Sequence, residues 1–151
     1  LRDKYEDRLV YINDQNSNDL SKALCWAADN GTEYVTIIGA DGGSDDHYLR
    51  NLFLILYSNY NFNIKMLTKS GRFDLANNKE FSSYPNQRVS LFCIDKNVKV
   101  STNGLEYELN DYRFKNLYGA TLNKALGTSF RISCDNPDTN ILIYRGNEET
   151  R

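Results

Sequence analysis

The sequence is poor in the residues that build zinc sites and disulfide frameworks. It has one histidine, His47, and three cysteines, Cys25, Cys93 and Cys134, widely spaced and without a C-x-x-C pair. Neither a structural zinc site nor a two-histidine catalytic zinc site can be assembled from that set. An odd number of cysteines set among apolar neighbours points to reduced core thiols. A hard, oxygen-ligated cation such as magnesium stays open. Charge of one sign is lacking too: Lys and Arg number 18 against 20 Asp and Glu, a formal net charge of −2. The one-signed basic field that attracts nucleic acid or an anionic membrane is therefore missing. The longest apolar run, Leu52 to Tyr57, is far shorter than the roughly 20 residues of a spanning helix, and the opening LRDKYEDR has no signal-peptide pattern. These absences predict a soluble, cytoplasmic protein with no nucleic-acid and no membrane partner. At 151 residues the chain can bury a normal core, as one domain or two small ones.

The first half of the chain alternates helix and strand. A strand pattern, RLVYI, precedes LSKALCWAA at 20–28, which places Leu20, Ala23, Leu24, Ala27 and Ala28 on one helical stripe, with Asn18 or Asp19 as cap and Gly31 as stop. YVTIIGA at 34–40 reads as a strand buried on both faces, the stretch from His47 to about Tyr60 as a second helix, and NIKMLTK at 63–69 as another strand. That order predicts a parallel α/β sheet. Beyond Ser70-Gly71 the runs become short and β-rich: RVSLFCI at 88–94, VKVST at 98–102, LEYEL at 105–109, SFRISC at 129–134 and ILIY at 141–144, with turns at YPNQ and DNPDTN. This texture predicts a sandwich or barrel, with a boundary between about residues 70 and 85.

Two polar clusters follow strand patterns and open helices. The first, DQNSNDL, spans Asp14 to Leu20; the second, GADGGSDDHYLRN, spans Gly39 to Asn51. Ligands of open α/β sheets bind where strand ends face helix N-termini, because the backbone N–H groups there attract phosphate. Gly42 and Gly43 permit close backbone approach, and Asp45 or Asp46 can hold a cation bridging phosphate oxygens. Each cluster alone also reads as a capped turn, and neither matches the Walker or Rossmann glycine pattern. His47 is open to a general-base role, but no G-x-S-x-G elbow accompanies it, and a hydrogen bond at the helix N-terminus is the plainer reading. The tyrosine-rich LEYELNDYRFKNLY lacks surrounding basic charge, so packing explains it better than base stacking.

Taken in order, these motifs resemble those of thiamin pyrophosphokinase. Asp14, Gln15, Asn18 and Asp19, then Lys22, Ala23 and Leu24, resemble D-Q-x-x-T-D followed by a K-A-L helix. Gly39, Ala40, Gly42, Gly43, Asp46, His47, Leu49 and Asn51 resemble G-A-x-G-G-R-x-D-H-x-L-x-N, with Ser44 in place of the arginine. Thr102, Gly104, Leu105, Tyr107 and Leu109 are similar to T-x-G-L-x-Y-x-L, and Leu122-Asn123-Lys124 occupies the place of an S-N-E motif. The resemblance implies an α/β catalytic domain at 1–75, with its N-terminal part and a D-x-D-S metal loop lying before Leu1, and a β-sandwich thiamine-binding domain at 76–151. It implies a homodimer with sites between subunits. It also implies transfer of diphosphate from ATP to the thiamine hydroxyl, with AMP leaving and Mg2+ neutralising the diphosphate. Asp14, Gln15, Asp19 and Asp46 carry over as catalytic residues, with Asp14, Asp19 and Asp46 as metal ligands. Asn18, Gly42, Gly43, Ser44, His47, Thr121 and Asn123 carry over as binding residues. The alternative is a non-catalytic nucleotide- or thiamine-binding module on the same scaffold.

Overall fold

The structure is a computed structural model describing residues 8–60 and 62–148. Its contacts divide the chain into two units, Leu1–Thr32 and Glu33–Arg151. Among the described residues there are two helices and nine strands, a mostly β composition.

The first unit is organised around helix α1, Asp19–Asp29. Asn18 caps it as expected: its side-chain oxygen accepts from the Ser21 N–H at 2.8 Å. At the far end Gly31 takes a positive φ of 68°, its N–H donates to the Ala28 carbonyl at 3.1 Å, and the Thr32 N–H donates to the Ala27 carbonyl at 3.1 Å. This is the paired-bond ending that a left-handed glycine makes possible. Leu24 and Ala27 of the predicted stripe are buried. RLVYI does not form a strand: among the described residues, 9–12 pair with no neighbour, and Leu9, Val10 and Tyr11 are exposed. A strand exists only through its ladder, and pattern alone cannot supply a partner.

In the second unit, β1 is Tyr34–Ile37, α2 Asp45–Leu56, β2 Asn63–Leu67, β3 Gly71–Ala76, β4 Lys79–Ser82, β5 Arg88–Phe92, β6 Val100–Asn103, β7 Ala120–Lys124, β8 Ser129–Cys134 and β9 Ile141–Gly146. Six strands form one sheet in the order β1-β2-β3-β9-β5-β7, and three form another in the order β4-β8-β6. The parallel expectation holds for β1 with β2, whereas β2 with β3 and β3 with β9 are antiparallel. The larger sheet is therefore mixed, and it runs unbroken through the segment where the composition changes. Expected burial of 34–40 on both faces is not found: Tyr34 is 72% and Ile38 76% exposed, and among the described residues β1 ends the sheet with β2 as its one partner. LEYEL is not a strand either; only Leu105 makes a bridge, to Ala125. The proline and Asx turns form as read, with the Gln87 N–H on the Tyr84 carbonyl at 3.0 Å and the Thr139 N–H on the Asn136 carbonyl at 3.2 Å.

One core joins the two sheets. Val89, Leu91, Ile141 and Ile143 from the larger sheet and Phe81, Val100, Phe130 and Ile132 from the smaller belong to a single buried cluster, with the Phe81 and Phe130 rings stacked at 5.4 Å. At roughly 1.5–3 kcal/mol per fully buried large side chain, this layer is the main favourable term for the unit. Cys93 lies within it, but Cys25 is exposed and Cys134 half-buried, so the expectation of core thiols holds for one of the three.

Candidate functional site

The second acidic cluster sits where β1 ends. Because β1 and β2 are parallel, their carboxyl ends share one edge of the sheet, and the loops leaving them are tied together there: Asp41 accepts from the Lys69 N–H at 2.7 Å. Asn51 on α2 donates to the Ala40 carbonyl at 3.3 Å, holding the helix against the glycine turn. Gly43 takes a φ of 91°, a left-handed conformation that side chains resist. Ser44 is the N-cap of α2 but makes no side-chain cap bond. Its hydroxyl instead bonds Asp46, and with the His47 N–H it holds the Asp46 carboxyl below its ordinary range. Gly42, Gly43, Ser44, Asp45, Asp46 and His47 are all exposed. The loop thus presents ionised oxygens and a helix N-terminus to solvent, a fit for a magnesium-bound phosphate group. Burial first and the nearby Asp41 carboxylate second push the Tyr48 phenol up, so it stays protonated beside this loop. Asp41 was not among the predicted site residues; its position inside the D-G-G turn was the available signal.

In the first unit the residues fall differently. The Asp14 carboxylate is engaged locally, accepting from the Asn16 N–H at 2.8 Å and from the Ser17 hydroxyl. Asn18 is the helix cap. Asp19 is fully exposed, with Lys22 at 3.9 Å. Gln15, Asp19 and Lys22 line a surface cavity of about 790 Å³ together with Leu9, Tyr11 and Trp26. Among the described residues, no three His, Cys, Asp or Glu side chains are gathered to hold a metal on their own. Magnesium often takes only one or two carboxylates and completes its shell with phosphate and water.

The third cluster is a bulge. Val89 pairs with Asn123 and Leu91 with Ala120, so Thr121 and Leu122 both stand opposite Ser90. The Ser90 hydroxyl accepts from the Leu122 N–H at 3.0 Å. Leu122 has a φ of 61° and is 74% exposed, a strained position for a branched residue that bulges near functional sites tolerate. Thr121 donates to the Tyr118 carbonyl at 3.1 Å. Asn123 is buried, and its amide is spent on backbone: Oδ1 accepts from the Tyr107 N–H at 3.0 Å and Nδ2 donates to the Tyr107 carbonyl at 2.7 Å. It pins the loop carrying the T-x-G-L-x-Y-x-L motif. That motif is itself a clamp: Glu108 accepts from Thr102, from the Gly104 N–H and from the Leu105 N–H at 2.7, 2.7 and 3.1 Å.

Residues 71–144 match the family model described as thiamin pyrophosphokinase, substrate-binding domain. Thiamine pyrophosphokinase of Bacillus subtilis is 27% identical over 108 residues, 68% of this chain. The chain spans about half the length of that curated relative, 50%. Among solved structures, the thiamine pyrophosphokinase of Bacillus subtilis aligns with a TM-score of 0.77 at 19% identity, covering 97% of this chain and 71% of that one. The Geobacillus thermodenitrificans enzyme gives 0.72 at 20% identity, covering 99% and 70%. The Candida albicans enzyme gives 0.66 at 14% identity, covering 98% and 58%.

Proposed function

We propose that this chain, a relative of the thiamin pyrophosphokinases, is part of a thiamine diphosphokinase that moves diphosphate from ATP to the hydroxyl of thiamine and releases AMP. The observation that carries the proposal is the loop after β1, where a glycine turn and the exposed Asp46 carboxylate stand at the N-terminus of α2 on the carboxyl edge of a parallel strand pair. An anionic phosphate chain is attracted by the helix end. Magnesium, when bound, would neutralise phosphate charge, and in the second unit Asp46 would hold it. The chain's own contribution is positioning: the glycine turn admits the phosphates, the Ser44 hydroxyl orients the Asp46 carboxylate, and the Lys69–Asp41 bond fixes the neighbouring loop. The bulge at Thr121–Leu122, backed by Asn123, is assigned to thiamine. We further propose a cytoplasmic homodimer, with free cysteines as a cytoplasmic protein keeps them.

Ser44, Leu122 and Lys124, which depart from the family pattern, favour a second reading in which the scaffold binds nucleotide or thiamine without turnover. One assay separates the two. AMP release from ATP and thiamine with Mg2+ is measured on the protein as it occurs in the cell and on its Asp46→Asn variant. Turnover that drops by about 100-fold or more in the variant, with the fold intact by circular dichroism, supports the transferase. Absence of AMP from the unsubstituted protein, or turnover unchanged by Asp46→Asn, overturns it.

A further inference from the structure

Residues 39–48, the glycine turn and the first turn of α2, carry Asp41, Asp45 and Asp46 but no arginine or lysine, Ser44 standing at the arginine position of the pattern they resemble. A phosphate chain carries more negative charge than one divalent ion neutralises, so such a site needs a cation from elsewhere in the fold. Hydrogen bonds lead from the loop to one. Asp41 accepts from the Lys69 N–H at 2.7 Å. The next residue, Ser70, accepts through its carbonyl from the Tyr144 hydroxyl at 2.8 Å. That hydroxyl in turn accepts from Arg88 Nη2 at 3.1 Å, and the guanidinium lies 5.5 Å from the centre of the Tyr144 ring. Tyr48, in the first turn of α2, links the same groups: after burial, Asp41 and then Tyr144 push its phenol up. Arg88 is thereby held at the sheet edge on which the loop opens.

A second cation stands beside it. In the β5–β7 ladder Arg88 lies directly opposite Lys124, and directly opposed residues share a face of the sheet. The adjacent pair, Val89 and Asn123, is buried, so Arg88 and Lys124 point outward, and both are exposed. Among the described residues neither forms an ion pair with a carboxylate. Like charges across a ladder repel, so this pair does not stabilise the sheet. Lys124 also follows the Thr121–Leu122 bulge and takes the place of the glutamate in the S-N-E motif it matches. The cation missing at Ser44 is thus returned at Lys124, opposite a guanidinium already fixed in place. Lys69 is nearer the loop along the chain, but its ammonium has no partner among the described residues, and a fixed guanidinium loses less freedom on binding. We propose that Arg88 and Lys124 form a cationic clamp for the diphosphate group, with the guanidinium on its oxygens and Lys124 adding charge beside the bulge assigned to thiamine. The clamp rests on the reading of the loop after β1 as a phosphate site.

The test is a calorimetric titration of inorganic pyrophosphate, with and without Mg2+, into the protein as it occurs in the cell and into its variants. Arg88→Gln is expected to weaken pyrophosphate about tenfold, and Lys124→Glu at least as much, because it puts a repelling carboxylate where a cation stood. Both positions are exposed, so the variants keep their fold. Arg131→Gln removes an exposed guanidinium of the smaller sheet and is expected to change the affinity by less than about twofold. The clamp is overturned if pyrophosphate does not bind, if Arg88→Gln leaves its affinity unchanged, or if Arg131→Gln weakens it as much as Arg88→Gln does. AMP release reads the transferase separately. Pyrophosphate held through Arg88 without AMP release keeps the clamp and removes the transferase; AMP release with a pyrophosphate affinity indifferent to Arg88 does the reverse.

Discussion

Removing the Asp74 carboxylate is expected to destabilise the second unit more than almost any other single polar change. Arg72 and Arg145 face each other directly across the β3–β9 ladder, and Asp74, two residues along on the same face, lies diagonal to Arg145. Asp74 is 7% and Arg145 5% exposed. Burial holds the Arg145 guanidinium below its ordinary value, while the hydrogen bond and charge of Asp74 act in the opposite direction. Asp74→Asn keeps the shape and deletes the charge, which strands a buried guanidinium opposite a like charge. Breaking a buried pair from one side costs about 3–5 kcal/mol. The Ser82 carbonyl and the Phe81 face still serve Arg145, so the lower end, about 3 kcal/mol, is expected. Replacing both partners, Asp74→Leu with Arg145→Met, removes the desolvation cost together with the attraction and should come within about 1 kcal/mol of the original stability. Urea unfolding followed by circular dichroism reads the difference: at a slope of about 1.5 kcal/mol per molar, 3 kcal/mol lowers the midpoint by about 2 M. A shift smaller than about 0.5 M at unchanged slope would mean that solvent screens this pair as it does surface pairs, and the argument from burial would fail.

Asn123→Ala should cost about 1–2 kcal/mol, because the Tyr107 N–H and carbonyl both lose their partner at a half-buried position; a calorimetric midpoint unchanged within error would refute this pinning of the Tyr107 loop. Gly104→Ala is expected to destabilise by about 2 kcal/mol, since Gly104 has a φ of 92° and an added Cβ would stand 2.9 Å from the Ser129 carbonyl oxygen. Full stability of that variant in the same urea assay would show that the turn relaxes freely. Asp46 titrates below its ordinary 3.8, so its contribution is present above pH 3.8 and is lost as pH falls through the folded value. Ser44→Ala should move that titration back toward 3.8, as carboxyl carbon shifts will record; an unmoved curve would remove the Ser44 hydroxyl from the account.

Much of the local structure was legible because local forces decide it. Asn18 caps α1 and Gly31 ends it through bonds within a few residues, and the turns at Pro85 and Pro137 follow from residues whose conformations are restricted in any context. The order of the acidic loops, and with it the family resemblance, is a property of spacing along the chain. What spacing cannot say is who pairs with whom. RLVYI and LEYEL have strand patterns yet no ladder, and YVTIIGA has the composition of a buried central strand yet lies at a sheet end, since burial is conferred by neighbours. Asn123 looks like a binding residue in a motif but is buried against Tyr107, sixteen residues earlier in the chain. Arg72, Gln87 and Arg145 carry no shared signal in the sequence. Only the antiparallel pairing of β3 with β9, and of β9 with β5, brings their side chains to one cavity. Helix caps and turns were decided by the residues themselves; the cavity was decided by strand registers that close loops of dozens of residues, a choice made by the whole core at once.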